Sequence, residues 1–101
     1  MPVVRIEHPV ADFARWKEAF DSDPVGREQI GVRRYTILRD LQGADVPDGG
    51  AYVLVDLELD TMEQAQRLRT ALDELWGRVR PTGLIGDQVS RIAEVVETRD
   101  Y

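Results

Sequence analysis

Hydrophobic and polar positions change period along this chain, and each change marks an element. Residues 2–8, PVVRIEH, alternate: Val4, Ile6 and His8 fall on one face and Val3, Arg5 and Glu7 on the other, the period of a strand. The spacing then lengthens. Asp12 is placed to cap a helix, and Phe13, Trp16 and Phe20 follow at intervals of three and four, which aligns three rings on one stripe while Arg15, Glu18 and Asp21 fall elsewhere. Asp23-Pro24 predicts the start of a short helical turn that Gly31 stops. Residues 32–39, VRRYTILR, are rich in β-branched and aromatic types and read as a second strand. The stretch DLQGADVPDGG, residues 40–50, has the composition of a loop. Next comes the clearest strand, AYVLVDLEL over 51–59, with Ala51, Val53, Val55, Leu57 and Leu59 on one face. Asp60 or Thr61 can cap the following helix, with Glu63 or Gln64 completing a capping box. Met62, Ala65, Leu68, Leu72, Leu75, Trp76 and Val79 form its apolar stripe, Arg78 and Arg80 suit its negative end, and Pro81 and Gly83 end it. Residues 88–97, QVSRIAEVVE, make the last strand.

The order β-α-β-β-α-β predicts an α+β domain of the ferredoxin-like, split βαβ kind over residues 1–101: an antiparallel four-stranded sheet with its helices on one face. A helix lying on that sheet must bury one stripe, so Phe13, Trp16 and Phe20 are read mainly as core. Trp16 keeps a second role, because a buried indole N–H needs a partner and can meet a ligand. The other sheet face still carries Tyr52 and Leu54, with either Val89/Ala93/Val95 or Ile92/Val96 from the last strand. An identical sheet from a second copy is the simplest cover, which predicts a homodimer with two sheets enclosing a space.

Composition narrows the classes. With 101 residues, 43% hydrophobic and 32% charged, the chain suits one globular domain with a modest core. Thirteen basic against nineteen acidic residues give a net charge of −6, which repels phosphate backbones and argues against nucleic acid as a partner. Arg33-Arg34 and Arg67/Arg69 read as solvated edges. No cysteine is present, so disulfides and thiolate metal sites are excluded. MPVVRIEHPV lacks the pattern of a signal peptide and no apolar run is long enough for a bilayer, so a cytoplasmic location without membrane contact is expected.

The stretch HPVADFARWKEAFDSDPVGREQIGVRRYTILRD, residues 8–40, with AYVLVDLELDTMEQAQRL and the terminal VSRIAEVVETRDY, resembles the dimeric α+β barrel superfamily, in the group of small antibiotic-biosynthesis-monooxygenase-like proteins. The resemblance implies sheets paired into a barrel. It also implies a small, often hydrophobic molecule bound between helices and sheet or toward the barrel. Some such proteins oxygenate aromatic polyketides without metal or flavin, some degrade haem, and some cyclise or isomerise.

His8 is the sole histidine and the one side chain whose ordinary pKa lies near neutrality, so it is either a general base or a satisfied structural imidazole. Tyr35 and Tyr52 can donate hydrogen bonds to a substrate carbonyl or phenolate, or else pack in a dimer interface. Asp56 and Glu58 share the face of Tyr52, as an acid/base pair or as partners of Arg33 or Arg91. The expected site thus has His8, Tyr35 and Tyr52 as catalytic residues and Trp16, Leu54, Asp56 and Trp76 as ligand contacts. Dinucleotide, phosphate-loop and nucleophile-elbow motifs are missing, and no metal-ligand spacing is present, so neither cofactor nor metal is expected. Two functions remain: a homodimer binding a small aromatic or polyketide-like molecule, acting as a cofactor-independent monooxygenase or cyclase, or a non-catalytic ligand-binding or regulatory module.

Overall fold

Apolar alternation along three strands builds the sheet. In the computed structural model, which describes residues 1–42, 46 and 48–101, the strands are β1 (Pro2–Val10), β2 (Arg34–Arg39), β3 (Ala51–Glu58) and β4 (Val89–Glu94). They pair antiparallel throughout, in the order β2-β3-β1-β4, the ferredoxin-like topology predicted from the element order. The loop predicted over 40–50 lies in part outside the described residues, at 43–45 and 47.

Register decides the faces. Val4, Ile6 and His8 stand opposite Leu57, Val55 and Val53, and Tyr35 and Ile37 opposite Leu57 and Val55. Across the other edge of β1, Val4 faces Ile92. This side is covered by helices: Val4, Val53, Val55, Leu57 and Leu59 are fully buried. The open side carries Val3, Arg5 and Glu7 from β1, Leu38 from β2, Tyr52, Leu54 and Asp56 from β3, and Val89, Arg91 and Ala93 from β4. Of the two alternatives for the last strand, the open face therefore takes Val89 and Ala93. Arginine–carboxylate pairs cross it, so it is more charged than alternation in β3 alone suggests.

Helix α1 (Phe13–Asp21) begins where the Asp12 carboxylate accepts from the Arg15 backbone N–H at 3.1 Å. A short helix α2 (Arg27–Ile30) lies between α1 and β2. Helix α3 (Met62–Val79) begins with the capping box of Thr61 and Gln64, each side chain bonded to the other's backbone N–H at 3.1 Å. It buries Ala65, Leu68 and Leu72 against the sheet.

Some boundaries differ from the sequence expectation. The helical turn begins at Arg27, not Pro24, because Asp23 and Gly26 adopt left-handed φ of 53° and 70° and turn the chain first. Asp23 still caps, accepting from the Arg27 N–H at 2.9 Å. β1 runs on to Val10: β4 begins opposite Glu7, and beyond it Val10 bridges Ile85. Pro9 gives only its carbonyl to that side, where Gly86 O takes the Trp76 indole instead of the N–H that Pro9 lacks. β4 stops at Glu94, opposite Pro2, with one further bond from the Val95 N–H to Met1 O at 3.3 Å.

The aromatic stripe of α1 packs as predicted. Trp16 is 6% exposed, with its ring 5.7 Å from Phe13 and 5.2 Å from Phe20. Trp16→Ala is expected to lower stability by about 3 to 5 kcal/mol, as other buried aromatic truncations do. Urea unfolding followed by circular dichroism checks this; a loss under about 1 kcal/mol would remove Trp16 from the core.

Candidate functional site

Between the helices and the covered sheet face lies a cavity of about 110 Å³. β1 contributes Ile6 and His8 to its wall, α1 contributes Trp16, Ala19 and Phe20, and α3 contributes Leu72, Leu75, Trp76 and Val79. The chain after α3 closes it with Leu84, Ile85 and Gln88, and Val25 and Arg27 border it near α2. The lining is apolar apart from His8, Arg27 and Gln88.

One backbone carbonyl organises this end of the sheet. Pro9 O accepts from the Gly86 N–H at 3.0 Å and lies 3.3 Å from His8 Nδ1. Gly86 O in turn accepts from Trp76 Nε1 at 3.1 Å. Gly86 must be glycine for this approach, since a Cβ there would stand 2.5 Å from Pro9 Cγ. A carbonyl can only accept, so this contact assigns the proton to Nδ1 and leaves Nε2 with its lone pair. Among the described residues Nε2 makes no hydrogen bond, and no buried side-chain nitrogen or oxygen lacks a partner. Nε2 therefore reaches open space, and the space His8 borders is the cavity.

His8 is 3% exposed, and burial pushes its pKa below the ordinary value, the hydrogen bond to Pro9 opposing this only in part. Among the described residues no carboxylate raises it. Glu7 points to the other face, where its carboxylate accepts from the Tyr52 hydroxyl at 2.9 Å.

The structure brings His8, Trp16 and Trp76 together at the cavity and places the other expected residues elsewhere. Tyr52, Leu54 and Asp56 are on the open face, because the period of two along β3 sets them opposite to Val53 and Val55, the partners of His8 and Ile6. His8 and Tyr52 therefore do not share one site. Burial, then Glu7, raises the Tyr52 pKa. Tyr35 is on the covered side but outside the cavity, edge-on to Phe20 at 5.0 Å and 40% exposed. Asp56 and Glu58 are no acid/base pair: Asp56 receives Arg5 Nε and Nη2 at 2.7 and 2.8 Å, and Glu58 receives Arg34 Nε at 2.6 Å. These partners replace the expected Arg33 and Arg91, because Arg5 and Arg34 stand directly opposite in register. Arg33 meets Asp60 instead, at 3.4 Å.

Sequence reasoning missed Arg27, Gln88 and the Leu84-Ile85 pair. Gln88 precedes the Glu7–Val89 pair by one residue, which brings it to the His8 side of the sheet. That neighbourhood follows from register, and no local pattern announces it. Among the described residues, no group of three or more histidines and carboxylates is placed to hold a metal ion. No helix of the described residues is long and apolar enough to cross a membrane.

No family model matches the chain, and no curated protein is similar to it in sequence. Solved structures share its fold. A dimeric ferredoxin-like protein from an uncultured marine organism superposes with a TM-score of 0.63 at 11% identity, covering 98% of this chain and 100% of its own. A candidate antibiotic biosynthesis monooxygenase from Deinococcus radiodurans gives 0.63 at 14% identity, over 100% and 98%. SnoaB, a cofactor-independent oxygenase from Streptomyces nogalater, gives 0.57 at 17% identity, over 96% and 95%. The fold is the one the resemblance to the α+β barrel superfamily implied, and at these identities the likeness extends to the fold alone.

The depressed His8 pKa has a consequence for stability. The unfolded chain, with histidine near 6.5, takes up the proton before the folded one does. Stability is therefore complete above about pH 6.5 and falls as pH drops below it toward the folded value. In urea unfolding between pH 7.5 and 5.5, His8→Gln is expected to lose less stability than wild type across this window. Equal losses would show that His8 titrates alike in both states.

Proposed function

We propose that the protein binds a small aromatic molecule in the cavity between helices and sheet, and that His8 Nε2 removes its acidic proton in a cofactor-independent oxygenation. The observation that carries this reading is an imidazole nitrogen without a hydrogen-bond partner among the described residues, bordering a largely apolar cavity while Nδ1 is held by the Pro9 carbonyl. A neutral histidine with a depressed pKa is available as a base at neutral pH, and dry surroundings strengthen its contact with a developing anion.

The step balances with dioxygen as co-reactant. His8 takes the phenolic O–H proton, and the phenolate passes electrons to dioxygen, which bonds to the para carbon. The resulting peroxide recovers a proton from the imidazolium. Loss of water, which removes the hydrogen on that carbon, gives the para-quinone. One oxygen atom ends in the ring carbonyl and the other in water. Only an electron-rich phenol gives up electrons to dioxygen readily, which fixes the substrate class. The Gln88 amide, on the His8 side of the cavity, is the donor suited to the phenolate oxygen. Losing one such donor typically costs about 10²-fold in rate.

The same reading includes self-association through the open sheet face. Leu38 and Val89 are exposed there at 43% and 42%, and they flank Leu54 and the Tyr52–Glu7 pair. A second copy of this sheet would cover them, and the fold neighbours include dimeric proteins. Light scattering after size exclusion at micromolar concentration is expected to give twice the 11.5 kDa chain mass; the mass of a single chain would rule out the paired sheets.

For the reaction, wild type and His8→Ala are compared by oxygen consumption across a panel of electron-rich phenols. Wild-type turnover that falls at least about 10²-fold in a folded His8→Ala supports the base role. A wild type without turnover, but with a small molecule retained in native mass spectrometry, makes the protein a binding module instead.

A further inference from the structure

We propose that Arg27 is the anion-recognition group of the His8 cavity and that the ligand is a single aromatic ring bearing a carboxylate, an inference that rests on the cavity being a ligand site. Arginine is costly to place against an apolar lining, yet the Arg27 side chain is only 13% exposed and forms part of this wall. Its surroundings hold it in one place. The guanidinium carbon lies 3.9 Å from the centre of the Phe20 ring and 5.1 Å from that of Tyr35, and Nη1 donates to the Phe20 carbonyl at 2.8 Å. The guanidinium thus sits over the face of the Phe20 ring, a cation–π contact that leaves N–H groups able to donate.

Its charge is incompletely matched. Asp23 Oδ1 stands 3.6 Å from Nε, too far for a hydrogen bond, while both Asp23 oxygens accept from the Arg27 backbone N–H at 2.9 and 3.1 Å. Among the described residues neither Nε nor Nη2 donates a hydrogen bond, and no buried side-chain nitrogen lacks a partner, so these donors reach open space. Arg27 also borders an outer groove with Asp23, Glu28 and Tyr35. It thus stands where the apolar chamber meets water, and a planar fork of N–H groups at such a mouth matches a carboxylate edge-on.

Size and order set the rest of the ligand. A cavity of about 110 Å³ is comparable to the engineered apolar cavity of about 150 Å³ that accepts benzene, so one ring fits. His8, Trp16, Phe20 and Arg27 are successive neighbours, in a row of contacts at 5.9, 5.2 and 3.9 Å. Base and cation stand at its two ends. A ring lying along the row, with its carboxylate on Arg27, would present its hydroxyl toward His8.

Both tryptophans of the chain line the cavity, so their fluorescence reports binding directly. The probes are 3-hydroxyphenylacetate and its neutral isostere 3-hydroxyphenylacetamide. The acid is expected to bind wild type at least about tenfold tighter than the amide, with a preference that shrinks as salt rises. Arg27→Gln is expected to bring the acid to the affinity of the amide, and Arg27→Lys, which keeps the charge but loses the fork, to retain part of the preference. Equal binding of acid and amide by wild type, or a preference that survives in Arg27→Gln, overturns the role of Arg27 and leaves the cavity reading standing. Failure of both probes to bind overturns the cavity reading and this inference with it. If Arg27→Gln does not fold, the acid-to-amide ratio of wild type and its salt dependence decide.

Discussion

Antiparallel pairing of β1 with β3 on one side and β4 on the other is the constraint on which the rest of the molecule depends. A shift of one residue would turn His8 and Ile6 to the open face and Glu7 and Arg5 inward. Such a slip would bury one acid and one base of β1 without their present partners, at several kcal/mol per unpaired charge. The register is therefore held by what it would cost to bury Arg5 and Glu7, as well as by the apolar contacts of Val4, Val53, Val55 and Leu57. The division of the sheet into a dry face and a charged one follows from it.

The end of β1 shows how that register reaches the chemistry. Past Glu7 the strand has no β4 partner, and the freed carbonyl of Pro9 is taken by Gly86. That bond draws the 84–88 segment across the helices' side of the sheet, where Leu84 and Ile85 close the cavity and Gln88 comes to it. The same carbonyl faces His8 Nδ1, so one group both closes the cavity and sets the His8 tautomer. Trp76, read from the sequence as a ligand contact, has its indole N–H committed to Gly86 O. Its polar end positions the loop, and its ring remains as part of the wall.

The fold was legible because its signals are local. The alternation of 51–59, the rings of Phe13, Trp16 and Phe20, and the Thr61–Gln64 capping box each lie within one element, and each forms in the structure. Of the seven residues expected at a site, His8, Trp16 and Trp76 meet at the cavity. Tyr52, Leu54 and Asp56 could be placed on one face of β3 from sequence, but setting that face against His8 needs the register between strands. Arg27 was hidden for a different reason. Its place at the cavity comes from the left-handed turn at Asp23 and Gly26, after which the Arg27 side chain reaches back to the end of α1 and sets its guanidinium on Phe20. No periodicity encodes such a contact, and an arginine in GREQI reads as surface.

The two faces handle charge in opposite ways, and this separates their roles. On the open face Arg5–Asp56 and Arg34–Glu58 are ion pairs and the Tyr52 hydroxyl donates to Glu7, so most of its carboxylates already have partners, while Arg91 stands opposite Arg5 without an ion pair among the described residues. On the covered face the polar groups of the cavity are only partly matched: among the described residues His8 Nε2 makes no hydrogen bond, and Arg27 has Asp23 at 3.6 Å but donates from neither Nε nor Nη2. Burying these groups costs stability that the surrounding aromatic and aliphatic packing must offset. A molecule with a ring for the wall, an acidic hydroxyl for His8 and an anion for Arg27 would satisfy them all. The incompletely matched polar groups thus lie between helices and sheet, and the ion pairs lie on the open face.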